Sequence, residues 1–216
     1  MPSTCEALMQ RLYGADIWTG FEATPDGTDL QGWNGNHPSL ARLASTKQDA
    51  KVVIDVGVWK GQSTISMAKA MKANGIDGVV IAVDTFLGSP EHWSGVHSKF
   101  QRKFGFPDIY TTFLTNTVNS GVTDYVIPVA QTSSTAAKIF ASLKITASVI
   151  HVDAAHEYRE VINDLNDYWE LLAPGGFLIG DDYDRFWPGV IEAAGEFSAR
   201  KKRPLMVEGI KFILQK

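Results

Sequence analysis

Cys5 is the only cysteine in the 216 residues of the chain. No intrachain disulfide can form, which excludes the small secreted folds held together by a disulfide framework. No apolar run approaches the ~18 residues that a membrane span needs, and the N-terminus lacks the basic-then-apolar order of a signal peptide. A basic excess is missing too. The formal net charge is −4, whereas a nucleic-acid or anionic-membrane surface normally needs the opposite sign. The one local basic run, Arg200-Lys201-Lys202-Arg203, suits a helix C-terminus. Internal repeats and low-complexity blocks are absent. By elimination these gaps leave a soluble, cytoplasmic-type protein with neither nucleic acid nor membrane as partner. A homo-oligomer stays open.

With 44% hydrophobic and 20% charged residues, the chain has ordinary globular composition, enough for one well-filled α/β domain. Leu8, Leu12 and Ile17 mark a short N-terminal helix. The turn formers of Thr24–Asp29 and Trp33–Pro38 then read as a loop that folds over a pocket, so residues 1–38 are expected to be a lid on the acceptor side and 39–216 the main domain. From there the order is regular. Helices are expected over Ser39–Gln48, Gly61–Asn74, Ser98–Phe104, Ser134–Leu143, Tyr158–Leu172 and Pro188–Ala199. Strands are expected over Lys51–Val56, Val79–Asp84, Tyr125–Val129, Val149–Asp153 and Phe177–Gly180, with Ala173-Pro174-Gly175-Gly176 stopping the preceding helix. Leu205–Val207 and Lys211–Leu214 form a closing hairpin. Strands alternating with helices mean a Rossmann-like, doubly wound, mostly parallel sheet with helices on both faces. Ligands on such sheets bind at the carboxyl ends of the strands, where Asp55, Asp84, Asp153 and Asp181 are all expected.

Asp55-x-Gly57-x-x-x-Gly61 bridges the first strand and its helix. Gly57 permits a backbone conformation closed to other residues and a close ligand approach. Gly61 opens a helix whose first amides favour a carboxylate or phosphate. Val58 stands where a dinucleotide motif would have a glycine, and no third glycine follows, which favours the shorter carboxylate of a methionine tail over a pyrophosphate. Asp84 is placed to accept both hydroxyls of a ribose. Gln131-Thr132-Ser133 either meets an adenine edge or caps a helix. Asp153, Asp181 and Asp182 converge from two strand ends, a cluster whose repulsion a divalent cation such as Mg²⁺ would relieve. His156 lies where an imidazole could take a proton from a hydroxyl. The bland alternatives are a cap at Asp84, loop-amide bonds at Asp181 and Asp182, and a structural hydrogen bond at His156. Trp169 reads as core. Trp33, Trp93 and Trp187 lie in loops that could wall a pocket.

These residues, above all Ile150-His-Val-Asp-Ala-Ala-His-Glu-Tyr158 with Leu171-Leu-Ala-Pro-Gly-Gly-Phe-Leu-Ile-Gly-Asp-Asp-Tyr183, resemble class I S-adenosylmethionine-dependent methyltransferases. The likeness is to the small group of macrolide-sugar O-methyltransferases and cephalosporin-hydroxylase-like proteins, and more distantly to catechol O-methyltransferase. It runs from about Lys51 to Tyr183. The resemblance implies a seven-stranded sheet with an antiparallel last strand. It also implies S-adenosylmethionine at Asp55, Gly57, Val58, Trp59, Gly61, Ser63, Asp84, Thr85, Gln131, Thr132, Ser133 and Asp153. Mg²⁺ is implied at Asp153, Asp181 and Asp182, with His156 and Asp153 catalytic toward a hydroxyl of a sugar or phenol-like small molecule. Ala154-Ala155 departs from the pattern, since relatives often carry glycine or a polar residue there. Two alternatives stay open: a metal-independent methyltransferase with the same cofactor site, and a non-catalytic nucleotide-binding protein. A nicotinamide oxidoreductase is disfavoured by the glycine spacing.

Overall fold

Runs of valine and isoleucine bounded by turn formers make strands that are buried on both faces, the pattern of a parallel sheet covered by helices. In the computed structural model, which describes residues 1–46, 51–94 and 100–216, the elements follow in this order. The chain begins with α1 (Thr4–Tyr13), α2 (Pro38–Ala44), β1 (Lys51–Val56), α3 (Gln62–Ala73) and β2 (Gly78–Asp84). A short α4 (Pro90–Trp93), the small strands β3 (Arg102–Lys103) and β4 (Phe106–Pro107), and α5 (Ile109–Asn119) come next. The second half has β5 (Val126–Ala130), α6 (Ser133–Ser142), β6 (Ala147–Val152), α7 (Tyr158–Leu171), β7 (Leu172–Gly180), α8 (Pro188–Lys201), β8 (Met206–Glu208) and β9 (Lys211–Gln215).

The seven-stranded sheet has the order β5-β2-β1-β6-β7-β9-β8. Its first four pairings are parallel, while β9 runs antiparallel to both β7 and β8. This is the expected doubly wound architecture with an antiparallel C-terminal strand. One consequence is positional: β9 begins, at Lys211, beside the carboxyl end of β7, where Gly180 pairs with Phe212.

Two cores sandwich the sheet. Cys5, Leu8 and Met9 of α1 join Phe140, Leu165, Tyr168 and Phe197 on one face. Leu40, Leu43, Met67, Met71 and Phe113 fill the other. Helix α1 therefore belongs to the core and not to a cover. Burial, with Asp124 and Glu6 nearby, pushes the Cys5 thiol up to about 12, which makes it a packing group. Trp169 is buried as expected.

Two expectations fail. Ser98 and Lys99 lie outside the described residues, and Phe100–Phe104 is no helix: Arg102–Lys103 pairs with Phe106–Pro107 around Gly105. Helix α5 has no counterpart among the expected elements. Its sequence, Ile-Tyr-Thr-Thr-Phe-Leu-Thr-Asn-Thr-Val-Asn, is rich in β-branched residues of low helix propensity. Only the buried spacing of Ile109, Phe113 and Thr117 betrays it. Two boundaries also move. Helix α2 ends at Ala44, Gln48 lies outside the described residues, and β7 begins five residues early with a register break opposite Ala147–Val149.

Asp164 on α7 is buried, and burial lifts its carboxyl to about 6 against a lowering hydrogen bond from Ser133. A carboxyl raised on folding favours the folded state below its unfolded pKa, and that advantage is lost as pH rises through about 6. Asp164→Asn is thus expected to stabilise the protein by about 2 kcal/mol at pH 8 and by nearly nothing at pH 4, measured by denaturant unfolding at both values.

Candidate active site

The site sits along the carboxyl rim of the sheet, and glycine sets its geometry. Gly57 follows β1 with φ +82°, and a Cβ there would lie 1.8 Å from the carbonyl oxygen of Asp153. The turn after β1 and the end of β6 therefore touch through bare backbone. Gly61, at φ +93°, starts α3 with no side chain to cap it, and its own Cβ would press on the Phe113 ring. Between them Trp59 is also left-handed, at φ 50°. Asp84, half-buried at the end of β2, accepts the Trp59 amide at 2.8 Å and the Phe86 amide at 2.7 Å, and Phe86 is left-handed as well. One carboxylate thus holds two strained turns. Burial pushes the Asp84 carboxyl up, partly offset by those amide bonds. Beside the Trp59, Phe86 and Val58 amides, the carboxylate keeps an acceptor direction for a ligand hydroxyl.

Several expected cofactor contacts turn inward. Asp55 stands one residue inside β1 and is fully buried. It accepts the hydroxyls of Ser63 at 2.8 Å and Thr64 at 2.6 Å, and pairs with His151 Nδ1 at 2.7 Å. Burial acts to raise its carboxyl, but the His151 and hydroxyl contacts outweigh it and leave it below the usual range. Asp55 and Ser63 are therefore supports beneath the turn, and the buried side chain of Val58 is core. Only three of the four aspartates reach the rim. The Thr132 hydroxyl caps α6 through the Thr135 amide, and the Ser133 hydroxyl serves Asp164. Gln131 and Thr85 are exposed at the rim.

The loop over 24–36 crosses the same turn. Asp29 pairs with Lys60, Asn116 Nδ2 donates to the carbonyls of Asp29 and Lys60, and Gln62 accepts the Gly35 amide at 3.0 Å. Trp59 Nε1 donates to Gln31, and its indole stacks on His92 at 4.2 Å. Trp33 lies 6.2 Å from Trp59. Trp93 stays half-exposed, donating to the Leu87 carbonyl.

At the far end of the rim, His156 Nε2 meets Asp182 Oδ2 at 2.8 Å, and its ring stacks on Trp187 with centroids 3.8 Å apart. Asp182 is left-handed, at φ 57°, and its amide donates to Asp181 Oδ1 at 2.8 Å. Asp153 is half-buried beside them. Burial and the neighbouring Asp181 charge push its carboxyl well above the carboxylate range, with Lys211 opposing. Ligand atoms of Asp153, His156 and Asp182 all lie within 4.8 Å of one another, as do those of His151, Asp153 and Asp181. The structure therefore brings Asp153, His156, Asp181 and Asp182 together.

Two buried residues of this rim escape sequence reasoning. Lys211 is fully buried, with Nζ 2.5 Å from Asp181 Oδ2 and 3.0 Å from His151 Nε2. His151 could have been found as a polar residue inside a buried strand. Lys211 is a lone basic residue opening a hairpin strand and carries no signal.

Residues 54–183 match the sequence family described as a methyltransferase domain. The chain belongs to that family. It is 25% identical over 181 residues to uncharacterized protein R132 of Acanthamoeba polyphaga mimivirus, covering 79% of this chain and 72% of that protein. Among solved structures it is similar to the calicheamicin methyltransferase CalS11, with a TM-score of 0.61 at 19% identity, covering 82% of this chain and 76% of the other. It is also similar to a Bacillus cereus O-methyltransferase in complex with SAH, with a TM-score of 0.58 at 16% identity, covering 99% and 90%. At such identities the structures share the fold. No described helix is long and apolar enough to cross a membrane.

Proposed function

We propose that the protein transfers the methyl group of S-adenosylmethionine to a hydroxyl of a small molecule such as a sugar or phenol, assisted by a divalent cation. The observation that carries this is the contact of Gly57 with the Asp153 carbonyl, which sets the cofactor turn against the Asp153–His156–Asp182 rim. The methionine carboxylate would approach the amides from Gly57 to the start of α3. Asp84 would take the ribose hydroxyls, with Gln131 and Thr132 near the adenine. The 24–36 loop then covers the methionine end of the cofactor.

In the transfer, a lone pair of the acceptor oxygen forms the new bond to the methyl carbon while the carbon–sulfur bond breaks and its electrons return to sulfur. The hydroxyl proton passes to His156. Because Asp182 accepts from Nε2–H, the lone pair that receives this proton is on Nδ1. Trp187 fixes the ring plane, and alignment of oxygen, carbon and sulfur is the main work of the site.

Asp153 and Asp182 suit Mg²⁺, which takes a few carboxylates and fills its remaining positions with water or substrate oxygens. Burial and the neighbouring Asp181 and Asp182 charges disfavour the ionised form of Asp153, a cost that a cation held there would relieve. A cation held there supplies positive charge to the acceptor's oxygens and eases loss of the hydroxyl proton.

The test is release of S-adenosylhomocysteine from S-adenosylmethionine with a panel of sugar and phenolic acceptors. Acceptor-dependent release is expected. Calorimetry showing binding of NAD and no S-adenosylhomocysteine would overturn the reading. Strong chelator is expected to lower the rate at least about tenfold, with recovery on adding Mg²⁺; an unchanged rate would remove the cation from the proposal.

A further inference from the structure

We propose that Lys211 is a positioning residue, a built-in cation that withdraws Asp181 from the divalent-cation site and uses it to aim Asp182 at His156. The inference rests on the reading of Asp153 and Asp182 as cation ligands.

A buried ammonium is costly unless a counter-charge and further acceptors satisfy it. Lys211 has both. Asp181 Oδ2 lies 2.5 Å away and His151 Nε2 3.0 Å away, and both Lys211 and Asp181 are buried. An ammonium offers only protons. His151 Nε2 must therefore carry a lone pair, which places the ring proton on Nδ1, where it donates to Asp55 Oδ1 at 2.7 Å. The proton order is defined from the hydroxyls of Ser63 and Thr64 through Asp55 and His151 to Lys211 and Asp181. Lys211 thus links the support of the cofactor turn to the catalytic rim.

The second oxygen of Asp181 is committed too, because Oδ1 accepts the Asp182 amide at 2.8 Å. That bond steadies Asp182 in its left-handed conformation at φ 57°, from which Oδ2 reaches His156 Nε2 at 2.8 Å. With Oδ2 on the ammonium and Oδ1 on the amide, the charge of Asp181 is already balanced, and its further side-chain contact is with Asp153. The acidic cluster therefore divides. Asp181 balances Lys211, and the half-exposed Asp153 and Asp182 face the cation.

The experiment is Mn²⁺ binding by calorimetry to the full chain, in the wild type, in Lys211→Met and in Lys211→Met/Asp181→Asn. The single variant frees a carboxylate and removes a positive charge near the site, so Mn²⁺ affinity is expected to rise at least about tenfold. A lysine with only a structural role would leave affinity unchanged or weaken it, and either result overturns the proposal. The double variant replaces a neutral buried pair by groups of similar shape, a change that folded proteins tolerate, so the test survives if the single variant does not fold. The amide oxygen of an asparagine in place of Asp181 can still accept the Asp182 amide. Mn²⁺ affinity of the double variant is therefore expected within about threefold of wild type, whereas a fall of about tenfold or more, as for loss of a direct ligand, would overturn the assignment. A wild type that binds no Mn²⁺ overturns it as well. S-Adenosylhomocysteine binding, measured on the same samples, reports separately on the methyltransferase reading.

Discussion

Gly57→Ala is expected to abolish measurable S-adenosylhomocysteine binding and to cost at least about 3 kcal/mol of stability. Two independent effects add. The position has φ +82°, where an L side chain meets its own backbone. The added Cβ would also sit 1.8 Å from the Asp153 carbonyl oxygen and 2.5 Å from its carbonyl carbon. These are backbone atoms anchored by the Asp153 amide bond to the Val56 carbonyl at 2.8 Å, so no flexible side chain can move aside. Relief requires β1 and β6 to separate at their carboxyl ends, which shifts Gly57 relative to the Trp59 amide and unseats the Asp84 clasp. Thermal unfolding is expected roughly 10 °C lower for a domain of this size. A variant that kept its melting temperature and bound the ligand normally would show that the turn has room the geometry denies. Gly14→Ala is the matched control: its φ is +69°, but nothing lies within 4 Å of the added Cβ. Strain alone should then cost about 1 kcal/mol and leave ligand binding intact.

That contact explains how the fold and site divide between what the residues reveal and what they hide. Strand and helix order is legible because β-branched runs such as Val52–Val56 and Val79–Val83 carry their burial in their composition. The rim aspartates are legible because parallel topology puts every strand's carboxyl end on one side. Helix α5 is hidden because Thr111, Thr112, Thr115 and Thr117 weaken its local signal, and packing of Ile109 and Phe113 onto the sheet overrides it. The role of Asp55 is hidden for another reason. Whether a strand-end carboxylate faces ligand or interior depends on one residue of register, and its partners Ser63, Thr64 and His151 come from two other elements. Lys211 is the extreme case. It meets Asp181 only because β9 turns back against β7, so its partner lies 30 residues away in sequence and across a strand pair.

His156→Ala is expected to lower the rate of methyl transfer by about 10²–10⁴ while leaving S-adenosylhomocysteine affinity unchanged. Such a loss corresponds to about 3–5 kcal/mol of the barrier. Its size follows from what the imidazole does. It holds one orientation between Trp187, stacked at 3.8 Å, and Asp182 at 2.8 Å, so the proton acceptor is aimed before the acceptor molecule arrives. Alanine removes the acceptor and leaves the proton to solvent. The cofactor side should not notice, because the turn at Gly57–Gly61 is held by Asp84 through the Trp59 amide and supported from beneath by Asp55. Asp182→Asn, assayed with Mg²⁺ in excess because Asp182 is also read as a cation ligand, separates aiming from proton transfer. An amide oxygen can still accept from Nε2–H, but it no longer stabilises the imidazolium that forms, so a smaller loss than in His156→Ala is expected. Trp187→Leu keeps both polar groups and frees the ring, and it should fall between wild type and His156→Ala. Equal losses of rate and cofactor affinity in His156→Ala would show that the histidine builds the pocket and does not carry the proton. A wild-type rate in that variant would hand the proton to Asp153 or to water.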